Sequence, residues 1–133
     1  MANKVVVHFL DKRIKKGFTY DFGPDKYSLH VTVSDEKGEK SLVEVSLNAL
    51  KAIFFVKDLK GNKDYTEKQT TEFRVIGAKK IKAVFVDGET MIGSTISYNP
   101  GKKGLFITPC DQNSNNMRIY VPLKSLKSIE FVT

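Results

Sequence analysis

The stretch that decides the fold is VSLNALKAIFFV, Val45–Val56, because it returns as VPLKSLKSIEFV, Val121–Val132. Seven of the twelve paired positions are identical, and the numbering of the two stretches differs by 76. The same offset holds without a gap over 54 pairs, residues 4–57 against 80–133, and 17 of these pairs are identical. An offset maintained over this length indicates an internal duplication, so each copy helps to interpret the other.

Each copy predicts five short β-strands. Runs rich in β-branched and aromatic residues, such as KVVVHFLD and KIKAVFVD, are typical of strands, and Asp-Gly at Asp87-Gly88 is a hairpin signal. The second strand is predicted over Ile14–Phe22 and Thr90–Tyr98. Gly17 and Gly93 interrupt it at matching places, where glycine usually marks a bulge, a bend or a close backbone approach. No segment shows a convincing helical period.

The predicted architecture is all-β, with two tandem five-stranded barrels. An open sheet of five short strands would expose its edges, so we expect each copy to close into a small barrel. The first covers residues 1–57, the second covers residues 80–133, and residues 58–79 connect them. Apolar residues that can anchor this connecting segment are Tyr65, Phe73, Val75 and Ile76.

The small size of each copy predicts an association. A unit of about 54 residues is marginal alone, because it buries too little of its surface. We therefore expect the two copies to pack together or the chain to form a homodimer.

The repeat also predicts the hydrophobic core. We expect one set of apolar residues in the first copy to be buried, together with the partners of these residues 76 positions later. The set in the first copy is Phe9, Leu29, Val45, Leu47, Leu50, Ile53 and Phe55. Their partners in the second copy are Phe85, Leu105, Val121, Leu123, Leu126, Ile129 and Phe131.

Composition narrows the functional classes. The chain has 22 Lys and Arg against 15 Asp and Glu, and the net charge of +7 favours anionic partners. The longest apolar run, Ala52–Val56, is too short to cross a bilayer, and the N-terminus does not fit a signal peptide. One cysteine, Cys110, cannot form an internal disulfide. A cytoplasmic protein without a membrane partner is the expectation.

Two segments of the chain resemble Sm-like proteins. IKAVFVDGETMIGSTISYNP, Ile81–Pro100, resembles their first motif, in which an apolar strand, a DG turn and a strand with a glycine at its bend follow one another. LKSLKSI, Leu123–Ile129, resembles the second motif of the bacterial Sm-like RNA chaperones. The resemblance covers most of both copies and implies Sm-like or SH3-like barrels. It also implies an RNA contact at Lys124, although Lys124-Ser125 stands where the chaperones have Lys-His.

The whole chain also resembles a bacterial family of tandem domains. KAIFFVKDLKGN, Lys51–Asn62, and SNNMRIYV, Ser114–Val121, carry this resemblance. Similar domains occur beside signalling modules such as PilZ, which binds cyclic dinucleotides. NPGKKG, Asn99–Gly104, echoes a PilZ motif with Gly101 in place of serine, and the paired arginines of PilZ are absent. The resemblance implies a signalling adaptor that binds a protein or, as a lesser alternative, a cyclic dinucleotide.

Two basic clusters are the candidate contacts for nucleic acid. They are Lys12, Arg13, Lys15 and Lys16 in the first copy, and Lys102, Lys103 and Lys124 in the second. Contact between lysines and phosphates is salt-sensitive, because each neutralised phosphate releases counterions. Tyr27 and Tyr98 are the candidates for stacking on bases. The alternative is a solvated surface on which lysines prevent strand edges from pairing.

The loop DQNSNN, Asp111–Asn116, is the most unusual in the chain. Asn and Asp favour turns and tolerate left-handed backbone, so turn chemistry accounts for this composition. The alternative is a ligand-facing loop. Its candidate residues are Asp111, Asn113, Asn115, Asn116 and Arg118.

No catalytic or metal site is predicted. His8 and His30 are replaced by valine and phenylalanine in the second copy, which indicates packing positions. Cys110 lacks a neighbouring cysteine or histidine, whereas metal sites need three or four ligands and a catalytic thiol needs a base. We therefore expect a non-catalytic binding module without a cofactor. RNA is the first candidate partner, and a protein partner of a signalling adaptor is the alternative.

Overall fold

The computed structural model describes residues 2–61 and 63–132, and the fold is all-β. The described residues form ten strands and two short 3-10 turns. The strands are β1 (Asn3–Phe9), β2 (Ile14–Thr19), β3 (Ser28–Ser34), β4 (Lys40–Ser46), β5 (Leu50–Val56), β6 (Lys79–Phe85), β7 (Thr90–Thr95), β8 (Gly104–Pro109), β9 (Asn116–Pro122) and β10 (Leu126–Val132). The turns, Leu47–Ala49 and Leu123–Ser125, precede β5 and β10. Within the described residues, no helix has the length and apolar character needed to span a membrane.

The strands follow the offset seen in the sequence. The bounds of β1–β5 recur 76 positions later in β6–β10, except that β8 ends one position early. The 3-10 turn before the fifth strand recurs at the same offset. We call β1–β5 the first unit and β6–β10 the second unit.

All ten strands belong to one antiparallel sheet with the order β10-β6-β7-β8-β9-β5-β1-β2-β3-β4. The internal order is therefore the same in both units, and β5 of the first unit pairs with β9 of the second. Closure of each unit by hydrogen bonds would require β4 to pair with β5 and β9 with β10. Neither pairing occurs among the described residues, so the two predicted barrels are not confirmed and the sheet has two edges, β4 and β10.

Two glycines permit the close approach between the second and third strands of each unit. Gly17 and Gly93 are buried within β2 and β7. A Cβ atom on Gly17 would lie 2.0 Å from the carbonyl oxygen of Thr32, and one on Gly93 would lie 2.3 Å from that of Thr108. No side chain fits there, so of the roles predicted for these glycines a close backbone approach is the one observed.

Two hydrophobic clusters lie on either side of the β5–β9 joint. Ile53 and Phe55 of β5 belong to the first cluster, whereas Ala52 and Phe54 pack in or against the second. Strand β9 divides its side chains in the same way, with Tyr120 in the first cluster. Because side chains alternate along a strand, each joint strand contributes to both cores, and both of its faces are covered.

The core prediction is confirmed in the first unit and only in part in the second. All the predicted residues of the first unit are buried, as are Phe85, Leu105 and Val121 of the second. The partly buried partners are Leu123, Leu126 and Ile129. The expected burial of Phe131 is wrong, since its side chain is 49% exposed. The physical reason is position in the sheet, because β5 has a strand on both sides and β10 is an edge.

The described residues of the connecting segment contain no strand before Lys79, where β6 begins, and side chains hold the segment against the second unit. The Tyr65 hydroxyl and the Lys68 N–H both donate to the Asp111 carboxylate. The side-chain oxygen of Gln69 accepts from the Ile92 N–H at 2.8 Å. The expectation that Ile76 anchors the segment is wrong, because this residue is 98% exposed.

Candidate functional site

Two adjoining clefts lie where the two units meet. The larger has a volume of about 610 Å³ and extends from Pro24 and Asp25 to the end of β7 and the loop before β8. The smaller, of about 370 Å³, reaches the 3-10 turns that precede β5 and β10. Lys102, Lys103 and Tyr120 line both clefts. We call the two clefts together the inter-unit groove.

Four lysines converge on the smaller cleft: Lys26, Lys102, Lys103 and Lys124. The described residues that line this cleft include no carboxylate. The structure thus brings together all three basic residues proposed for the second copy. It adds Lys26, which the sequence analysis missed although Lys26 and Lys102 are an identical pair of the repeat. The duplication places one lysine on each side of the groove.

An exposed tyrosine lies among these lysines. Tyr27 is 75% exposed, and the Nζ atom of Lys103 is 3.4 Å from the centroid of its ring. Lys103 Nζ also donates to the carbonyl oxygen of Asp25, and Lys124 Nζ donates to Oδ1 of Asn48, both at 3.3 Å. The other candidate for stacking, Tyr98, packs 5.9 Å from Phe131 and does not line the groove.

The floor of the groove is an aromatic cluster centred on Tyr120. Its ring centroid lies 5.1 Å from that of Phe22 and 5.2 Å from that of Phe106, and burial raises the pKa of its hydroxyl. A Cβ atom on Gly104 would lie 2.6 Å from the ring, so glycine makes room for it. Arg118, proposed as part of a ligand loop, instead stacks its guanidinium 4.6 Å from the Phe106 centroid. It therefore belongs to the joint.

The basic cluster of the first copy lies elsewhere. Lys12 lines a hollow of about 240 Å³ together with Asp87 and Glu89, and this hollow shares no lining residue with the groove. Arg13 donates to Asp11 Oδ2 at 2.7 Å and stacks on a phenylalanine ring. Lys15 and Lys16 lie along β2. Carboxylates thus accompany Lys12 and Arg13, whereas no carboxylate among the described residues lines the smaller cleft of the groove.

Asp111 of the unusual loop serves the fold. Its side chain is buried and accepts hydrogen bonds from the Tyr65 hydroxyl and from the backbone N–H groups of Lys68 and Asn113. The bond from the Lys68 N–H is the main cause that lowers the pKa of Asp111. The bond to Asp111 in turn raises the pKa of Tyr65 to about 12. The hydrogen bonds of the Asp111 carboxylate thus join it to its own turn and to the connecting segment.

The asparagines of the same loop line a separate hollow of about 500 Å³. Asn113, Asn115 and Asn116 face it, together with Asp58 and Glu67. The amide of Asn115 accepts from the Asp58 N–H at 3.0 Å and donates to the Asp58 carbonyl oxygen at 2.8 Å. Oε1 of Glu67 is buried with no hydrogen-bond partner among the described residues. Three of the five proposed loop residues thus lie together.

The two histidines differ in their surroundings. His8 stacks on Phe54 with 4.6 Å between ring centroids, which fits the packing role expected for it. The surroundings of His30 do not fit the packing role expected for it. Its Nδ1 lies 2.8 Å from Oδ2 of Asp21, and its Nε2 lies 3.3 Å from Oε2 of Glu44. The reason is that Phe106, its partner in the repeat, lies at the joint, whereas His30 lies beside the free edge β4.

Cys110 is buried, and its thiol donates to the carbonyl oxygen of Lys68 at 3.1 Å. In residues 2–61 and 63–132, no three His, Cys, Asp or Glu side chains are grouped so that they could hold a metal ion. The charged side chains that line the groove are those of Lys26, Lys102, Lys103, Lys124 and Asp25, and the rings that line it are those of Tyr27, Phe106 and Tyr120.

A protein family matches the chain over its whole length. The model of a family described as "Family of unknown function (DUF6982)" matches residues 1–133. No curated protein and no solved structure matches the chain.

Proposed function

Because the chain belongs to the DUF6982 family of unknown function, its own residues must carry any functional conclusion, and we propose that it is a non-catalytic module that binds single-stranded RNA in the inter-unit groove. The observation that carries the proposal is the convergence of Lys26, Lys102, Lys103 and Lys124 around the exposed ring of Tyr27. Ammonium groups neutralise phosphates, and an aromatic face stacks on a base of any identity.

The framework of the proposal is a pair of Sm-like or SH3-like small barrels that arose by duplication. The recurrence of the strands at an offset of 76 and the identical strand order of both units support this interpretation. The groove then follows from the joint, because pairing of β5 with β9 brings the loop before β8 against residues 24–27. Lys124, at which the Sm-like resemblance implies an RNA contact, lines the same groove.

A salt titration tests this function. Fluorescence anisotropy of a labelled single-stranded RNA of mixed sequence should show binding whose logarithmic affinity falls linearly with the logarithm of salt concentration. The double variant Lys102→Ala, Lys103→Ala should bind more weakly, with a slope smaller by about 1.4, since each phosphate contact contributes about 0.7 for single strands. The matched control is Lys15→Ala, Lys16→Ala, which should keep the slope of the wild type.

Tyr27 separates stacking from charge. Tyr27→Ala should lower the affinity by about 1–3 kcal/mol and leave the salt slope unchanged, because a stacked base releases no counterions. If RNA does not bind at low salt, or if the two lysine double variants weaken RNA binding equally, the groove is not the RNA-binding site. Since the side chain of Tyr27 is largely exposed, this replacement should leave the fold intact.

A second candidate is a bacterial signalling adaptor that binds a protein partner or, less favoured, a cyclic dinucleotide. The observation in its favour is the hollow lined by Asn113, Asn115 and Asn116, whose amides can donate to and accept from a peptide backbone. The double variant Asn113→Ala, Asn116→Ala should then lose a captured protein partner and retain RNA binding. Asn115 is left unchanged in this test because it holds the backbone of Asp58.

A further inference from the structure

One carboxylate lies among the lysines and rings of the inter-unit groove. Of the described residues that line the groove, Asp25 alone carries a carboxylate. It lines the larger cleft together with Lys102 and Lys103. A negative charge repels phosphates, so this side chain opposes contact with the RNA backbone. Base edges, in contrast, carry N–H groups that a carboxylate can accept from, and contacts to bases are the ones that specify sequence.

Residues of the second unit hold the backbone at Asp25 in place. The Tyr120 hydroxyl donates to the carbonyl oxygen of Pro24, and Lys103 Nζ donates to that of Asp25, both at 3.3 Å. Burial is the main cause that raises the pKa of the Tyr120 hydroxyl, and the charge of Asp25 is the second, so the carboxylate lies near the floor of the groove. Asp25 is exposed, and within the described residues its carboxylate makes no hydrogen bond or ion pair. Both carboxylate oxygens are therefore accessible to a ligand.

The other uncharged polar side chains of the larger cleft are less selective than Asp25. The Thr95 hydroxyl donates to the carbonyl oxygen of Ser97 at 3.2 Å. The side-chain oxygen of Asn99 accepts from a backbone N–H of its own turn at 2.9 Å. The hydroxyl groups of Ser97 and Thr108 can both donate and accept, so they tolerate any base edge. The fixed hydrogen-bonding groups of this cleft are thus the carboxylate and the ammonium groups.

These fixed groups match the hydrogen-bonding pattern of one base. A carboxylate only accepts hydrogen bonds, and an ammonium group only donates them. Along its Watson–Crick edge guanine has the acceptor O6, followed by two donors, N1–H and the amino group at N2. Two adjacent donors fit the two oxygens of a carboxylate, and O6 is left for an ammonium group. Uracil has one N–H between two carbonyl groups, and adenine and cytosine have an acceptor nitrogen beside the amino group. With these three bases, an oxygen of Asp25 would face an acceptor.

We propose that the larger cleft binds a guanine base of single-stranded RNA, whose N1–H and N2 amino group donate to the Asp25 carboxylate and whose O6 accepts from Lys102 or Lys103. The proposal rests on RNA binding in the inter-unit groove and adds a base preference to it. Ile96, which follows the end of β7, is 84% exposed and offers an apolar side chain to one face of the base. The cleft volume of about 610 Å³ lies in the range of sites for small organic molecules.

Oligonucleotides that differ at a single base test the preference by fluorescence anisotropy. The probes are short labelled oligouridines in which one central uridine is kept or is replaced by guanosine, inosine or adenosine. The guanosine probe should bind about 5- to 150-fold more tightly than plain oligouridine, as expected for one bidentate contact to a base. Inosine keeps O6 and N1–H but lacks the amino group, so the inosine probe should lose most of this gain. The adenosine probe should bind like plain oligouridine.

The variant Asp25→Asn separates base recognition from charge. Asparagine has one acceptor oxygen in place of two, so the ratio of the affinities for the guanosine and uridine probes should fall to about one. The loss of a negative charge should at the same time strengthen the binding of plain oligouridine. The matched control Glu36→Gln removes a carboxylate from an exposed turn outside the groove and should keep the wild-type ratio. Circular dichroism checks that both variants fold.

The outcomes distinguish this inference from the function on which it rests. If plain oligouridine binds in a salt-dependent manner and the guanosine probe binds no more tightly, the base preference is wrong and RNA binding in the groove stands. If Asp25→Asn keeps the wild-type ratio and binds every probe more tightly, Asp25 acts only as a charge, which also overturns the inference. If no probe binds at low salt, both the inference and the proposed function fail.

Discussion

At the scale of single residues, the two histidines have opposite electrostatic surroundings. Burial is the main cause that lowers the pKa of His8 below 6.5, and the Lys51 ammonium acts in the same direction. The hydrogen bond to Asp21 is the main cause that raises the pKa of His30 above 6.5. For His30 the stabilisation is fully present below 6.5 and is lost as the pH rises through the folded pKa. For His8 stability increases with pH up to 6.5, because below this pH the unfolded chain binds the proton more tightly.

Replacing each histidine should therefore flatten a different part of the stability profile. His30→Gln should remove the decrease in Tm that His30 causes as the pH rises above 6.5. His8→Val should remove the increase in Tm that His8 causes as the pH rises toward 6.5. Valine is the residue that the second unit has in place of His8. Thermal unfolding followed by circular dichroism over a pH series measures both effects. Identical profiles for the wild type and His30→Gln would contradict the role given to the Asp21 pair.

The glycines of β2 and β7 give a second prediction at this scale. Gly17→Ala and Gly93→Ala should each lower the free energy of unfolding by about 1–3 kcal/mol, because the added methyl group meets a backbone carbonyl that cannot move aside easily. Gly101→Ala is the control. Its Cβ would meet only the side-chain oxygen of Asn99, at 3.2 Å, so its effect should stay within about 0.5 kcal/mol. Chemical denaturation of the three variants decides the comparison.

At the scale of elements, β5 and β10 show how similar sequences reach different degrees of burial. Leu50 is 1% exposed, whereas its counterpart Leu126 is only partly buried. Leu50→Ala should cost about 2–5 kcal/mol of unfolding free energy, as expected for a large-to-small change in a core. Leu126→Ala should cost clearly less, because fewer neighbours surround its side chain.

Urea denaturation of both leucine variants at low protein concentration measures this difference. Low concentration matters, because association of copies would cover the exposed side chains of β10. An equal or larger cost at Leu126 would show that the edge strand is packed more tightly than its exposure indicates. The pair is matched in residue type, strand position and neighbouring 3-10 turn.

The strands themselves could be predicted from the sequence, because alternation and turn residues are local signals. The second strand is shorter than expected, since β2 ends at Thr19 and β7 at Thr95, before Phe22 and Tyr98. The chain turns there, and Phe22 leaves the strand to join the aromatic cluster at the joint. Periodicity describes one strand at a time, so it carries no information on this contact.

At the scale of the whole molecule, Asp111 attaches the connecting segment to the second unit. Asp111→Ala removes the acceptor of the Tyr65 hydroxyl and the Lys68 N–H, so amide hydrogen exchange should become faster in residues 63–70. Asp35→Ala is the control from the same position of the first unit. Among the described residues, the Asp35 carboxylate accepts from the N–H groups of Lys37 and Glu39 in its own turn, so exchange should change in that turn alone. Unchanged exchange in 63–70 would contradict the anchoring role.

The candidate site could be predicted only in part, because contacts between distant segments of the chain decide which residues lie together. The sequence suggested Lys102, Lys103 and Lys124 as one cluster and Tyr27 as a stacking residue, and the structure places all four in the smaller cleft. It also suggested a second basic cluster, of which Lys12 lines a different hollow together with Asp87 and Glu89. Charge counted along a chain does not show which residues another segment brings close, so carboxylates near Lys12 were not foreseen.

By itself the sequence determined the all-β class, the recurrence at an offset of 76 and the alternation of the strands, because these depend on neighbours along the chain. Tertiary structure alone decided that β5 pairs with β9, which buries Phe55 and leaves Phe131 at an edge. It also decided that lysines from both units meet in one groove. Two nearly equal copies have nearly equal surfaces, and local pattern shows which faces are apolar. Which copy covers which face depends on the total area buried when the whole chain packs.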